Sequence, residues 1–386
     1  MIQYILLVFI VIVATIIRLK FKFWSIQPVF HIYDLNHWIT TDHVIDSSIP
    51  KISKYVKLLD IETLNIKAIS DDSKEMIVKF ICENYLDNYH PEKTDIFPYF
   101  STLLGSSHIS LFLDNKFKHS SSRFSYSNRD VIGIITSRPL FLTFQGKAPF
   151  MINYVDNLNV RKDMRKRDIA PNLIATHHYR IRHLNNSTNV SIFKRDDEMT
   201  AIIPLTIYES HEFSIRDICD KKIYHREILI KINKNNFGYF KSIIKSCTSK
   251  FKCILNIEQT TFFELIVLSK IIIYVLINDN DPVCCYVLRR NPYVSTLGLK
   301  YIDLLTSINI SPFTETFFSG FQTVCRREYK KHKTDRINIE TIGDNCSLTR
   351  EIQTRDIRIR SQCTSAFFLY NYVHYSIKPE DCLFIY

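Results

Sequence analysis

The sequence predicts a mixed α/β (α+β) fold of two halves with similar plan, preceded by one N-terminal transmembrane helix. Three observations predict it. Residues 2–17 carry no charge. From there to about residue 208, amphipathic helical spacing alternates with short β-branched runs bounded by polar turns. After Asp217 the same alternation starts again, with no low-complexity linker between. At 386 residues, the chain is long enough for two or three domains, and 46% hydrophobic with 23% charged residues excludes a disordered chain. The expected division is 1–19 anchor, 20–215 first half and 216–386 second half.

In chain order, residues 2–17 are apolar on every side, as a membrane span is. Met1 leaves no room for a basic leader and no small-residue cleavage site follows, so a retained anchor is expected rather than a cleaved signal. Arg18, Lys20 and Lys22 follow the run, which puts a single-pass protein's body in the cytosol. Residues 73–89 have helical spacing with Ser73 as N-cap. Residues 107–113, 130–137 and 150–160 read as strands, and 172–179 as a helix. Residues 186–208 are β-rich. The second half offers helices over 235–248 and 257–265, then a hairpin of strands 271–277 and 283–289 around the turn 278–281. A helix over 317–329 and closing strands over 366–372 and 382–386 complete it.

Net charge is +11 with a pI near 9.0, which suits an anionic partner. Only 7 glycines are present, so no glycine-rich phosphate loop of the GxGxxG or Walker kind is available. The 10 cysteines include the adjacent Cys284 and Cys285 but no CxxC spacing, and reduced thiols are expected. His177 and His178 have no Cys, Asp or Glu at ligand spacing, so no metal is expected. No Ser-His-Asp constellation stands out. Abundant Ile, Asn, Lys and Tyr suit an AT-rich genome, such as that of a large DNA virus or an intracellular parasite.

The most informative stretch is 153–171. A strand ending at Val160 gives way to Arg161, Lys162, Arg165, Lys166 and Arg167 within seven residues. Ile169-Ala170-Pro171 then opens a helix. Strand, basic turn and helix start together hold phosphates: free backbone N–H groups and the helix dipole face the anion while the cations close around it. Alone, such a cluster is more often a solvated face or a nucleic-acid patch. The second basic cluster, 326–333, is read as a solvated helix face or a contact for anionic lipid.

Set in order, these motifs resemble the N-myristoyltransferase (glycylpeptide N-tetradecanoyltransferase) family, tandem GNAT-like acyl-CoA N-acyltransferases. Phe23-Trp24-Ser25-Ile26-Gln27-Pro28-Val29 is close to the family's Phe-Trp-x-Thr-Gln-Pro-Val. Glu83-Asn84-Tyr85 is family-like, and Val131-Ile132-Gly133-Ile134-Ile135 before Pro139 resembles Leu-Val-Gly-Phe-Ile-Ser-Ala-Ile-Pro. Leu158-x-Val160, followed by Arg165 and Ile169-Ala170-Pro171, resembles Phe-Leu-Cys-Val…Arg-Ser-Lys-Arg-Leu-Ala-Pro. Phe368-Leu369-Tyr370-Asn371-Tyr372 and the ending Leu383-Phe384-Ile385-Tyr386 resemble the late strands. The resemblance spans residues 20–386 and leaves the apolar N-terminus outside. It departs where Asp168 replaces the family's second loop arginine and where Arg358 to Cys363 replace a Gly-x-Gly-Asp-Gly run.

The resemblance implies a divergent enzyme of two fused GNAT-like halves that moves a long-chain acyl group from acyl-CoA to an N-terminal glycine; the apolar run 2–17, read by itself, would anchor it to a membrane. Myristoyl-CoA would lie in the first half against Lys22, Phe23 and Trp24. Asn157 and Leu158 would supply oxyanion-hole N–H groups, with Asn159 and Val160 beside them. Arg165, Lys166, Arg167, Asp168, Ile169 and Ala170 would hold the CoA phosphates. The C-terminal carboxylate of Tyr386 would be the general base, with no metal and no covalent enzyme intermediate. Implied partners are acyl-CoA and peptides or proteins with an N-terminal glycine, but no nucleic acid; the chain would be a monomer, and the N-terminal helix adds the membrane as an expected partner. A viral source would place it in a host membrane or the virion. The alternatives are a catalytically inactive interaction or lipid-binding scaffold, and an acyltransferase with another donor or acceptor.

Overall fold

The computed structural model describes residues 2–84, 89–91, 97–100, 105–114, 130–196, 201–219 and 228–386. The fold is mixed α/β around a 15-stranded sheet. Its main path begins at Cys382–Ile385 and runs through Cys253–Asn256, Asp130–Phe144, Phe150–Val160, Ser191–Asp196 and Ile359–Tyr370. It continues through Thr206–Ser214, Arg336–Glu340, Lys300–Asn309, Asp281–Ser295 and Ile271–Asn278 to Ile228–Lys231. Cys382–Ile385 pairs in parallel with Cys253–Asn256, which itself runs antiparallel to the end of Asp130–Phe144.

The strand expected over 130–137 continues to Phe144, straight through Pro139. Proline lacks a ladder donor and is confined to positions where none is needed. Here one edge of the strand changes partner: His108–Asp114 pairs it up to Ser137, and Cys253–Asn256 from Phe141. Pro139 falls in the gap between them and faces Asn153 across the other edge.

The helix expected over 73–89 runs Asp71–Asn84, so Ser73 lies inside it rather than capping it. Ile77, Phe80, Ile81 and Asn84 form its buried face; residues 85–88 lie outside the described residues. The helix Ile169–Leu184 is longer than 172–179 at both ends. Strands Lys300–Asn309 and Arg336–Glu340 and the helix Asn345–Thr354 have no counterpart in the sequence reading. The ten cysteines are free. Adjacent strand residues face opposite ways, so Cys284 and Cys285 enter two different cores on the two sides of the sheet.

The expected transmembrane anchor is corrected, and with it the membrane as a partner and the single-pass localisation with a cytosolic body, in a host membrane or virion. Among the described residues no helix is long and apolar enough to cross a membrane. The N-terminal segment is a helix, Ile2–Lys20, with Arg18 and Lys20 in its last turn. Its uncharged run rises about 24 Å at 1.5 Å per residue, against a hydrocarbon core of about 30 Å. Its end is also tied to the body. The Arg18 guanidinium lies 5.0 Å from the Tyr33 ring centroid, and Leu19 and Lys20 form part of the cavity wall described next.

Candidate active site

Strands Phe150–Val160 and Ser191–Asp196 run parallel and pair only between Asn153–Val155 and Ser191–Phe193. Beyond that short ladder they separate, and a cavity of about 1040 Å³ opens beside them. One wall comes from Asn153 and from Val155 to Leu158, the other from Ser191 and from Phe193 to Asp196. The helix Ile169–Leu184 supplies Ala170, Pro171, Ile174, His177, His178 and Ile181, and the N-terminal segment supplies Lys20 to Trp24. The volume is at the upper end of the roughly 300–1,000 Å³ usual for small-molecule sites.

The N-terminal segment is held on by specific bonds. Trp24 stacks on Phe193 with ring centroids 5.6 Å apart. Gln27 accepts the Tyr370 hydroxyl at 2.7 Å through Oε1, and the Asn371 N–H donates to Pro28 O at 2.6 Å. Tyr370 in turn meets His178 edge-on at 4.8 Å. The Phe-Trp-x-x-Gln-Pro string thus closes one side of the cavity.

At its mouth the strand Phe150–Val160 bulges. Ile134 pairs with Asn159 and Thr136 with Asp156, so Asn157 and Leu158 share one skipped position. Asn157 takes φ +51°, the left-handed region that Asn tolerates best after glycine. Its Nδ2 donates to Thr136 Oγ1 at 2.9 Å, and its backbone N–H donates to Asp156 Oδ1 at 2.8 Å. Leu158 is 39% exposed. The bulge takes Asn157 and Leu158 out of the ladder with Asp130–Phe144.

Asp156 and Asn157 also line a second cavity, of about 320 Å³. Tyr99, Phe100, Arg138, Tyr154, Arg289 and Tyr301 contribute to its walls. The two spaces therefore share the bulge.

The basic loop contains a short helical turn, Lys162–Met164, then Lys166 at φ +65° and Asp168 at φ +56°. Asp168 precedes the helix without capping it by its side chain. The Asn172 N–H is bonded to Asp168 O at 3.0 Å, and Pro171 has no N–H. The N–H groups of Ile169 and Ala170 are left at the open helix end. Of the expected binding residues, Lys22, Phe23, Trp24, Asn157, Leu158, Asp168 and Ala170 line the large cavity. The others are not in its lining. Arg165 donates to Asn84 O at 2.7 Å and pins the loop to the end of the helix Asp71–Asn84. Arg167 lies on Met164 at 3.4 Å, and Lys166 is exposed. Asn159 is buried with its amide nitrogen unpartnered, while Ile169 is buried and Val160 packs beside it.

Tyr386 is buried and lines neither cavity. Its phenol donates to Glu340, 2.9 Å from each carboxylate oxygen, and Lys194 Nζ lies 2.8 Å from Glu340 Oε1. Its ring packs against Tyr154 at 5.3 Å, so it sits one side chain behind the second cavity. Burial opposes charge on Lys194, but Glu340 outweighs it and holds the ammonium well above the usual lysine range.

Several lining residues escaped sequence reasoning. Lys54, Tyr55, Arg182, Lys194 and Tyr370 reach the large cavity. His177 does too, with Nδ1 2.7 Å from the Ser110 hydroxyl. Burial, reinforced by neighbouring histidines, drives His177 down to about 3; burial, with Arg182 nearby, drives His178 down to about 4. Both are neutral wall groups at ordinary pH. Among the described residues no group of three or more His, Cys, Asp or Glu could hold a metal ion.

No family model and no curated protein sequence matches this chain. Solved structures do. A crystal structure of Saccharomyces cerevisiae N-myristoyltransferase with bound myristoyl-CoA is 15% identical over 92% of this chain and 94% of that one, with a TM-score of 0.69. A second, also with myristoyl-CoA, is 15% identical at a TM-score of 0.70, covering 93% of this chain and 89% of that one. A third, with myristoyl-CoA and inhibitors, is 16% identical at 0.68 over 92% and 91%. Across more than nine-tenths of its length, this chain has the fold of the N-myristoyltransferases.

Proposed function

We propose that this protein is an N-acyltransferase that uses myristoyl-CoA, or another long-chain acyl-CoA, to acylate the N-terminal glycine of a peptide or protein. The observation that carries this reading is the shared bulge: Asp156 and Asn157 belong to both cavities. A thioester in the large cavity would present its carbonyl where an amine in the second could reach it. The amine lone pair attacks the carbonyl carbon, the N–H groups of Asn157 and Leu158 take the developing oxyanion, and the C–S bond breaks to release CoA thiolate. The amine proton passes to a carboxylate. Lys22, Phe23 and Trp24 would flank the cofactor, and the loop from Arg165 to Ala170 would face its phosphates.

In this reading residues 20–215 bind acyl-CoA and 216–386 form most of the acceptor side, as two fused GNAT-like halves working as a monomer. Nucleic acid is not a partner. The C-terminal carboxylate of Tyr386 is the proposed base. A second candidate is favoured by its position on the shared wall: the Asp156 side chain. A non-catalytic, lipid-binding reading is favoured by one contact, the Asn157 N–H already held by Asp156.

Acylation of a glycine-first peptide by the intact chain, and by one extended two residues past Tyr386, separates these. A large loss on extension supports the terminal carboxylate. Equal rates leave Asp156 as the base. No turnover with any acyl-CoA, despite acyl-CoA binding, supports the scaffold.

A further inference from the structure

Arg138 sits mid-strand at the wall of the second cavity and is 92% buried, its relative exposure being 8%. Its backbone is part of the ladder with Phe150–Val160, but among the described residues its guanidinium forms no hydrogen bond and no ion pair. Its guanidinium lies over the Tyr154 ring, 5.3 Å from the centroid. Burial pulls its pKa below the usual arginine value.

The other charges around this cavity have partners. Arg289 lies 3.2 Å from Asp303 Oδ2, and Asp303 Oδ1 also accepts from Asn338 Nδ2 at 3.0 Å. Asp156 Oδ1 holds the Asn157 N–H. Asp156 also attracts Arg138 electrostatically, but no ion pair joins them, so among the described residues two arginines face a cavity in which only Arg289 has a bonded carboxylate. Removing a guanidinium from water without a partner is costly, and a structure keeps one where a ligand supplies the counter-charge.

We infer that the second cavity is an anion subsite: it takes an acceptor carrying a side-chain carboxylate near its N-terminal amine, which pairs with Arg138. A carboxylate matches the planar guanidinium fork with two parallel hydrogen bonds. A lysine or arginine at the same place in the acceptor would meet Arg138 and Arg289 and be repelled. The inference rests on the acyltransferase reading for the amine's role, but the anion preference itself is a binding property.

The test uses the full chain and glycine-first peptides, amidated at the C-terminus, that differ only in Glu, Gln or Lys at each of the first few positions after glycine. Binding is read by calorimetry without acyl donor, and acylation by peptide mass. At one position the Glu peptide should bind about tenfold or more tighter than Gln, and Lys weaker than Gln. Arg138→Gln should collapse the Glu/Gln ratio to near one, and Arg138→Lys should restore part of it. A Glu/Gln ratio of one at every position in the unaltered protein overturns the inference, as does a preference that survives Arg138→Gln. Should Arg138→Gln not fold, the three-peptide comparison on the unaltered protein decides. Repeating it with free-carboxylate Gln peptides distinguishes the sources: a preference found only there assigns the anion to the peptide terminus and overturns the side-chain assignment. Acylation without any acidic preference would leave the acyltransferase reading standing and this one fallen.

Discussion

The backbone N–H of Asn157 donates to the carboxylate of Asp156, 2.8 Å away, on the bulge where the two cavities meet. The carboxylate therefore guards one of the two amides proposed for the oxyanion. Asp156→Asn keeps a side-chain oxygen for that N–H but cannot take a proton. If Asp156 is the base, kcat falls about 10²-fold or more with acyl-CoA binding unchanged. Steady-state kinetics with both substrates varied reads this. An unchanged kcat assigns the proton to another carboxylate.

The bulge depends on Asn157 at φ +51°. Glycine accepts that conformation and a β-branched residue does not. Asn157→Gly should fold normally, whereas Asn157→Val should lose about 1–2 kcal/mol of stability and most of any acyl transfer. Urea unfolding of the two variants makes the comparison.

Asp168 puts a carboxylate at the cavity end of the basic loop, where the phosphates are proposed to lie. Asp168→Asn removes that charge and keeps a residue tolerant of φ +56°. Binding of acyl-CoA should tighten several-fold at low salt, and the gain should shrink as salt screens it. Titration at two ionic strengths measures both.

His177 and His178 are driven down to about 3 and about 4 by burial. Their folded values lie below the unfolded value near 6.5, so the unfolded chain binds more protons between these limits. The folded state is unpenalised above pH 6.5 and loses stability as pH falls towards 4, by up to ~1.4 kcal/mol per pH unit for each histidine. Urea unfolding across pH 4–7 should show this slope, and His177→Gln should remove about one proton from it.

Much of the site was legible in the sequence because its parts are local. The strand Phe150–Val160, the cluster of cations after it and the helix opening at Ile169 are contiguous, and each has its own signal in periodicity or charge. The Phe-Trp-x-x-Gln-Pro string was legible as a motif, though not that Gln27 would hold Tyr370, 343 residues away. What escaped depends on distant partners. Arg165 reads as a phosphate ligand, and the fold adds a bond from its guanidinium to Asn84 O; no spacing within the loop reveals that bond. Arg138 did leave a signal, a charged residue before proline inside an apolar strand. Its meaning required the partner change at Pro139 and the approach of Arg289. The N-terminal run showed the converse failure: composition suggested a span, but the length of the run and its basic, body-bound last turn did not supply one.

The central claim is that the large cavity binds acyl-CoA, and thermal unfolding of the intact chain with myristoyl-CoA, acetyl-CoA, CoA and free myristate tests it most directly. A ligand at a hundred times its Kd stabilises by about 2.7 kcal/mol, so myristoyl-CoA should raise the midpoint clearly, more than CoA or myristate alone. No rise with any acyl-CoA would contradict the account.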